Sequence, residues 1–85
     1  MIHYSDSPKV RAVSTADPSF LFLEFDNGQK RHYDVSPLLE MEMFAPLKNI
    51  ALFRAAKVEC RGWAVSWSDD IDISNQELWA NSKPC

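Results

Sequence analysis

Phe20-Leu21-Phe22-Leu23-Glu24-Phe25-Asp26-Asn27-Gly28-Gln29-Lys30-Arg31-His32-Tyr33-Asp34-Val35 sets an Asn-Gly dipeptide between two strand-like runs. Asn-Gly in this setting is a strong hairpin signal, because a type I′ turn needs φ > 0 at both central residues. With Asn27 and Gly28 as a two-residue loop, Phe25 faces Lys30, Glu24 faces Arg31 in an ion pair, and Leu23 faces His32. Phe20, Phe22, Tyr33 and Val35 then share one face. The run at 20–25 is apolar except at Glu24, so it reads as a central strand covered on both faces.

Outward from this hairpin, residues 9–14 alternate weakly and read as a preceding strand, with a turn at Ala16-Asp17-Pro18. Downstream, Ser36-Pro37 has the form of a helix start, a Ser cap followed by Pro at the first helical position. The pattern predicts a short helix over 38–43, a break at Phe44-Ala45-Pro46, and a second short helix over 47–53. Residues 56–67 read as a second hairpin turning at Arg61-Gly62. That register sets Cys60 opposite Trp63, Val58 opposite Val65 and Ala56 opposite Trp67 on an apolar face. Lys57 then opposes Ser66, and Glu59 opposes Ala64. Ser68-Asp69-Asp70 ends the strand. Ser74-Asn75-Gln76-Glu77 is a capping box, with Ile73 and Leu78 placed as a hydrophobic staple for a C-terminal helix. The expected class is α+β: an antiparallel sheet of two β-hairpins plus an N-terminal strand, with two or three short helices, in the order β-β-β-α-(α)-β-β-α.

The 85 residues fit a single domain over 1–85, with a polar lead-in at 1–8 and a frayed tail at 81–85. The net charge of −3 lacks the basic excess on which phosphate binding depends. No apolar stretch approaches the roughly 20 residues of a membrane span. Residues 1–8 lack the basic and apolar regions of a signal peptide, so the expected location is cytoplasmic. Two cysteines, Cys60 and Cys85, do not make a disulfide framework.

Each candidate for chemistry has a plain structural reading beside it. Asp69, Asp70 and Asp72 are the sharpest charge cluster, but they lack calcium-loop spacing, and Asp72 can favour the following helix N-terminus. His3, His32, Cys60 and Cys85 include no close ligand pair of the zinc-site kind, and Cys60 is expected to be buried. His32 is a possible general base without a nucleophile placed beside it. Lys30-Arg31-His32 near aromatics is the weak form of a nucleic-acid-binding sheet. Trp63, Trp67 and Trp79 fit a core, and large aromatics are also what interaction hot spots use.

Taken together, Phe25-Asp26-Asn27-Gly28, Asp34-Val35-Ser36-Pro37-Leu38-Leu39, Phe44-Ala45-Pro46-Leu47-Lys48-Asn49 with Phe53, Trp63-Ala64-Val65-Ser66-Trp67, Asp70-Ile71-Asp72-Ile73 and Glu77-Leu78-Trp79 form an ordered signature. On these motifs the chain resembles the bacterial domain of unknown function family DUF 2442 across nearly all of its length. After Trp67 it departs from the family's commoner Pro-Asn-Gly with the more acidic Ser68-Asp69-Asp70. The resemblance implies a compact antiparallel α+β domain. It also implies relatives that precede a helix-turn-helix domain or stand beside toxin–antitoxin-like partners, and it supplies no catalytic residues.

The expected function is a non-catalytic protein-interaction or regulatory module, toxin–antitoxin-like in setting, that is not an enzyme and uses no cofactor or metal. The candidate interaction residues are Trp63, Trp67, Asp70, Asp72, Lys30 and Arg31. A weak nucleic-acid-binding domain using Lys9, Arg11, Lys30 and Arg31 is the alternative, and a small enzyme with a site at Asp70 and Asp72 ranks last. The expected partner is a protein, with no membrane contact. A homodimer is also expected, because the short helices offer too little cover for both sides of residues 20–25.

Overall fold

The computed structural model describes residues 7–85; most of the expected lead-in, and His3 with it, lies outside the described residues. The class is α+β, as expected, but the strands divide into two antiparallel sheets. The first contains β1 (Val10–Ala16), β2 (Phe20–Phe25), β3 (Lys30–Asp34) and β7 (Lys83–Pro84), side by side in that order. The second contains β4 (Lys57–Glu59), β5 (Ala64–Ser68) and β6 (Ile71–Ser74). Two 3₁₀ segments, Ser36–Glu40 and Glu42–Lys48, and the single-turn helix α1 (Ile50–Phe53) link the sheets, and helix α2 (Asn75–Asn81) follows β6. Both sheets feed one core, with Leu21, Phe25, Val35, Leu47, Phe53, Val65 and Leu78 fully enclosed.

The first hairpin is in a different register from the expected one. Phe22 pairs with His32, Leu21 with Tyr33 and Glu24 with Lys30. The loop has three residues rather than two: the Phe25 N–H donates to the Gln29 carbonyl, the Gly28 N–H to the Phe25 carbonyl, and of these turn residues Gly28 alone has positive φ, at 87°. This is a type I turn followed by a glycine bulge, and it suits Asn-Gly as well as the type I′ turn does. Strand side chains alternate, so a one-residue shift exchanges the faces. Leu21, Leu23, Phe25 and Tyr33 are therefore the core face, and β2 is not covered on both sides. Glu24 pairs with Arg11 rather than Arg31.

The second hairpin has the expected register, Lys57–Ser66, Val58–Val65 and Glu59–Ala64. Its turn has I′ geometry, with Arg61 at φ 57° and ψ 32°, Gly62 at φ 96°, and the Trp63 N–H donating to the Cys60 carbonyl at 3.1 Å. Cys60 is exposed there, not buried.

The chain also continues past Asp70 into β6, so the second sheet has three strands. The expected Ser36 cap does not form. Instead Asp34 accepts from the Ser36 N–H and hydroxyl, each at 2.9 Å, ahead of a 3₁₀ segment rather than an α-helix. Asn49 caps the one-turn α1, accepting from the Ala51 and Leu52 N–H groups. Ser74 caps α2 as expected, accepting from the Glu77 N–H at 3.2 Å. The tail expected to fray is pinned: Lys83 and Pro84 pair with His32 and Arg31, and the Cys85 N–H donates to the Lys30 carbonyl.

Candidate protein-interaction surface

The shift in the first hairpin decides what the protein shows to its surroundings. The side of the first sheet turned away from the core carries Ala12 and Ser14 from β1, Phe20, Phe22 and Glu24 from β2, and Lys30, His32 and Asp34 from β3. Phe22 is 44% exposed at the middle of this face, and Phe20 packs its ring 6.4 Å from that of His32. Around Phe22 the charges are mixed. Glu24 lies opposite Lys30 and takes the Arg11 guanidinium at 3.4 Å, while Arg11 also donates to the Asp26 carbonyl at 3.0 Å. Phe22, Glu24, Lys30 and Cys85 border one shallow depression, and Phe20, His32, Asp34 and Lys83 border a second on the same face.

At the lower end of that face the Asp34 carboxylate accepts from the Ser19 hydroxyl at 2.7 Å and from Ser36. Partial burial pushes its pKa up, but the bonds from the Ser36 N–H and from the Ser19 and Ser36 hydroxyls outweigh this and hold it below its ordinary value. Across the core, the Tyr33 hydroxyl is raised by burial and by the bond it donates to Glu77 at 3.0 Å.

The residues singled out from the sequence scatter over this surface. Lys30 lies on the open face. Arg31, the next residue, projects to the other side, where its guanidinium lies 3.9 Å from the Trp79 ring and donates to the Ser82 carbonyl. Trp67 is buried, its indole N–H donating to the Phe53 carbonyl. Trp63 is 39% exposed with the Lys9 ammonium 4.8 Å from its ring. Asp70 sits in the β5–β6 turn, its N–H bonded to the Ser68 hydroxyl, and Asp72 points outward from β6. Asp70 and Asp72 thus belong to different local settings. The four cations Lys9, Arg11, Lys30 and Arg31 are split among a tryptophan, a glutamate, the open face and the end of α2.

Among the described residues no three His, Cys, Asp or Glu side chains converge as metal ligands, and no helix is long and apolar enough to cross a membrane. The sequence reading missed Phe22, assigned there to the core, and also the exposed Met41 and Met43. The register depends on the turn type, which Asn-Gly leaves open. The methionines did have a signal, an alternation of acid and methionine over Glu40-Met41-Glu42-Met43.

In comparisons with known proteins, a family model described as protein of unknown function (DUF2442) matches residues 10–84. No curated protein and no solved structure matches the chain.

Proposed function

From the premise that this chain belongs to the DUF2442 family, we propose that it is a non-catalytic protein-interaction module that pairs with a second copy of itself through the open face of β1–β3. The observation that carries this reading is Phe22, a large aromatic at 44% exposure in the centre of a solvent-facing sheet. The demand for cover is narrower than the sequence suggested. Leu21, Leu23 and Phe25 are enclosed within the chain, and Phe20 and Phe22 remain. The same face carries Glu24 and Lys30 as cross-strand partners beside Phe22, so charges of both signs are available to a second copy. A stable interface of this kind buries at least about 1,000 Å² in total. A regulatory role in a toxin–antitoxin-like pair is the finer form of this reading. On this face Glu24 and Asp34 offset Lys30 and Lys83, so it lacks the basic excess on which binding to a phosphate backbone depends.

Light scattering over a dilution series tests the pairing. The expected mass is twice the 9.7 kDa of one chain, falling to one chain for Phe22→Glu with circular dichroism unchanged. A single-chain mass for the wild type at all concentrations overturns the dimer. A gel shift with single-stranded RNA that Phe22→Glu abolishes transfers the face to nucleic acid.

A further inference from the structure

Away from the open sheet face lies a second apolar groove that shares no lining residue with it. Leu38, Phe44, Ile73 and Tyr33 line it, with a volume of about 350 Å³. Met41 and Met43 also line the groove, at 52% and 50% exposure. Unbranched thioether side chains held this far into solvent adapt their shape to an incoming apolar surface. The remaining charged side chains of the lining are Asp72 and Glu77, and no cation lines the groove among the described residues. Glu40 and Glu42, both exposed, flank Met41 in sequence and add to the negative charge beside it.

We propose that this groove receives a basic amphipathic helix of another protein, its apolar side chains seated between Met41, Met43 and Phe44 and its lysines or arginines facing Asp72 and Glu77. Three features bear on that occupant. The sign of the lining selects a cationic partner and disfavours nucleic acid and acidic peptides. The Leu38, Met41 and Phe44 N–H groups on the 3₁₀ wall are already bonded within their own turns, at 2.8, 2.9 and 3.0 Å. That wall therefore offers side chains rather than free backbone, while Asp72 and Ile73 across the groove belong to β6, an edge strand of the second sheet, so the circular dichroism of the bound peptide distinguishes a seated helix from an added strand. Glu77 is also held in place, accepting from the Tyr33 hydroxyl at 3.0 Å and the Asn81 amide at 2.8 Å, so its charge is already oriented. This inference rests on the interaction-module reading but not on self-pairing, because the two surfaces are separate.

The test uses a synthetic peptide of Leu and Lys about 18 residues long, or five helical turns, patterned with one apolar face. Its composition-matched scramble and a Leu/Glu counterpart are the controls. Binding is followed by fluorescence anisotropy, by peptide circular dichroism and by the methionine methyl resonances, assigned with Met41→Leu and Met43→Leu. The expected result is helix formation on binding, shifts at Met41 and Met43, and an affinity at least about tenfold weaker for the Met41→Ser/Met43→Ser double variant and for Asp72→Lys. Binding of the patterned peptide to the Phe22→Glu variant at wild-type strength separates this groove from the self-pairing face and supports the proposal. Absence of binding, equal binding of the scramble, preference for the Leu/Glu peptide, or unchanged affinity in the Met and Asp72 variants overturns it.

Discussion

The indole N–H of Trp67 donates to the carbonyl oxygen of Phe53 at 2.9 Å, and the two rings stack at a tilt of 23° with centroids 6.2 Å apart. This pair fastens the one-turn α1 to β5, joining the connecting segment to the second sheet. A helix of four residues has little stability of its own, so its position depends on such tertiary contacts. Trp67→Phe keeps a ring in the core, removes this bond and leaves the Phe53 carbonyl only the longer one from the Ala56 N–H at 3.3 Å. The expected loss is about 1–3 kcal/mol, read from urea denaturation. A variant that melts like the wild type would mean that α1 is held by packing alone.

The two glycines have similar backbone angles and different surroundings. Gly28 has φ 87° with open space where a Cβ would go, whereas a Cβ on Gly62, at φ 96°, would lie 2.6 Å from the Val10 carbonyl oxygen and 2.9 Å from Lys9 Cβ. Gly28→Ala therefore costs only the left-handed strain of about 1–2 kcal/mol. Gly62→Ala adds displacement of the β1 backbone and must cost clearly more. Equal midpoints for the two variants would refute this ordering.

The two hairpins show which parts of the structure the sequence made legible. The second register was readable because Val58, Val65 and Trp67 sort cleanly from Lys57, Glu59 and Ser66, so any slip mixes apolar and polar side chains. In the first hairpin both faces of β2 are apolar, and the sorting does not discriminate. Turn chemistry was the remaining guide, and Asn27-Gly28 fits two turn types that differ by one residue of register. Ile71-Asp72-Ile73-Ser74 alternates as a strand should, with its isoleucines buried, but the capping signal at Ser74 drew the reading toward the helix that follows. The open-face site was hidden by the same ambiguity, since the exposure of Phe22 follows from the register. The short pairing of Lys83 and Pro84 has no local sequence signal, because it depends on where α2 delivers the chain.

Acid should weaken the fold through Asp34. Its carboxyl is held below the ordinary value of 3.8 in the folded chain, burial being outweighed by the bonds from Ser36 and Ser19. A depressed folded pKa contributes stability above the unfolded value and loses it as pH falls through the folded one. Asp17, lowered by its bond from Arg54, has the same sign at an exposed site. Stability should therefore be flat near neutrality and decline below about pH 4. Asp34→Asn should be less stable at pH 7 and decline less steeply in acid. Parallel acid limbs for variant and wild type would exclude Asp34 as a contributor.

Ser74 has two structural duties, pairing with Ala64 at the end of β6 and accepting the Glu77 N–H as the cap of α2. Ser74→Ala removes the second alone, since strand pairing uses the backbone. The expected cost is about 1 kcal/mol, with Ser74→Asp retaining most of the stability because a carboxylate accepts the same bond. If neither substitution moves the denaturation midpoint, α2 is held in place by Leu78 and Trp79 without its cap.

Lys30 and Arg31 are neighbours with opposite roles. Arg31 lies half-buried with its guanidinium over the Trp79 ring and donates to the Trp79 and Ser82 carbonyls at 3.5 and 3.3 Å, a cation at the C-terminal end of α2. Trp79 in turn meets Phe25 edge-on, with centroids 5.0 Å apart. Arg31 thereby ties the start of β3 to the helix end from which β7 departs. Arg31→Met preserves the aliphatic stem and removes the charge and the donors. It should cost about 1–2 kcal/mol and speed hydrogen exchange at the Cys85 amide, whose bond to the Lys30 carbonyl closes this end of the sheet. Lys30→Met, on the open face, should change stability by no more than about 0.5 kcal/mol. It should instead alter self-association, where Lys30 stands beside Phe22. The opposite pattern, with a silent Arg31→Met and a destabilising Lys30→Met, would place the structural cation on the wrong side of the sheet and would contradict the register on which the proposed interaction surface depends.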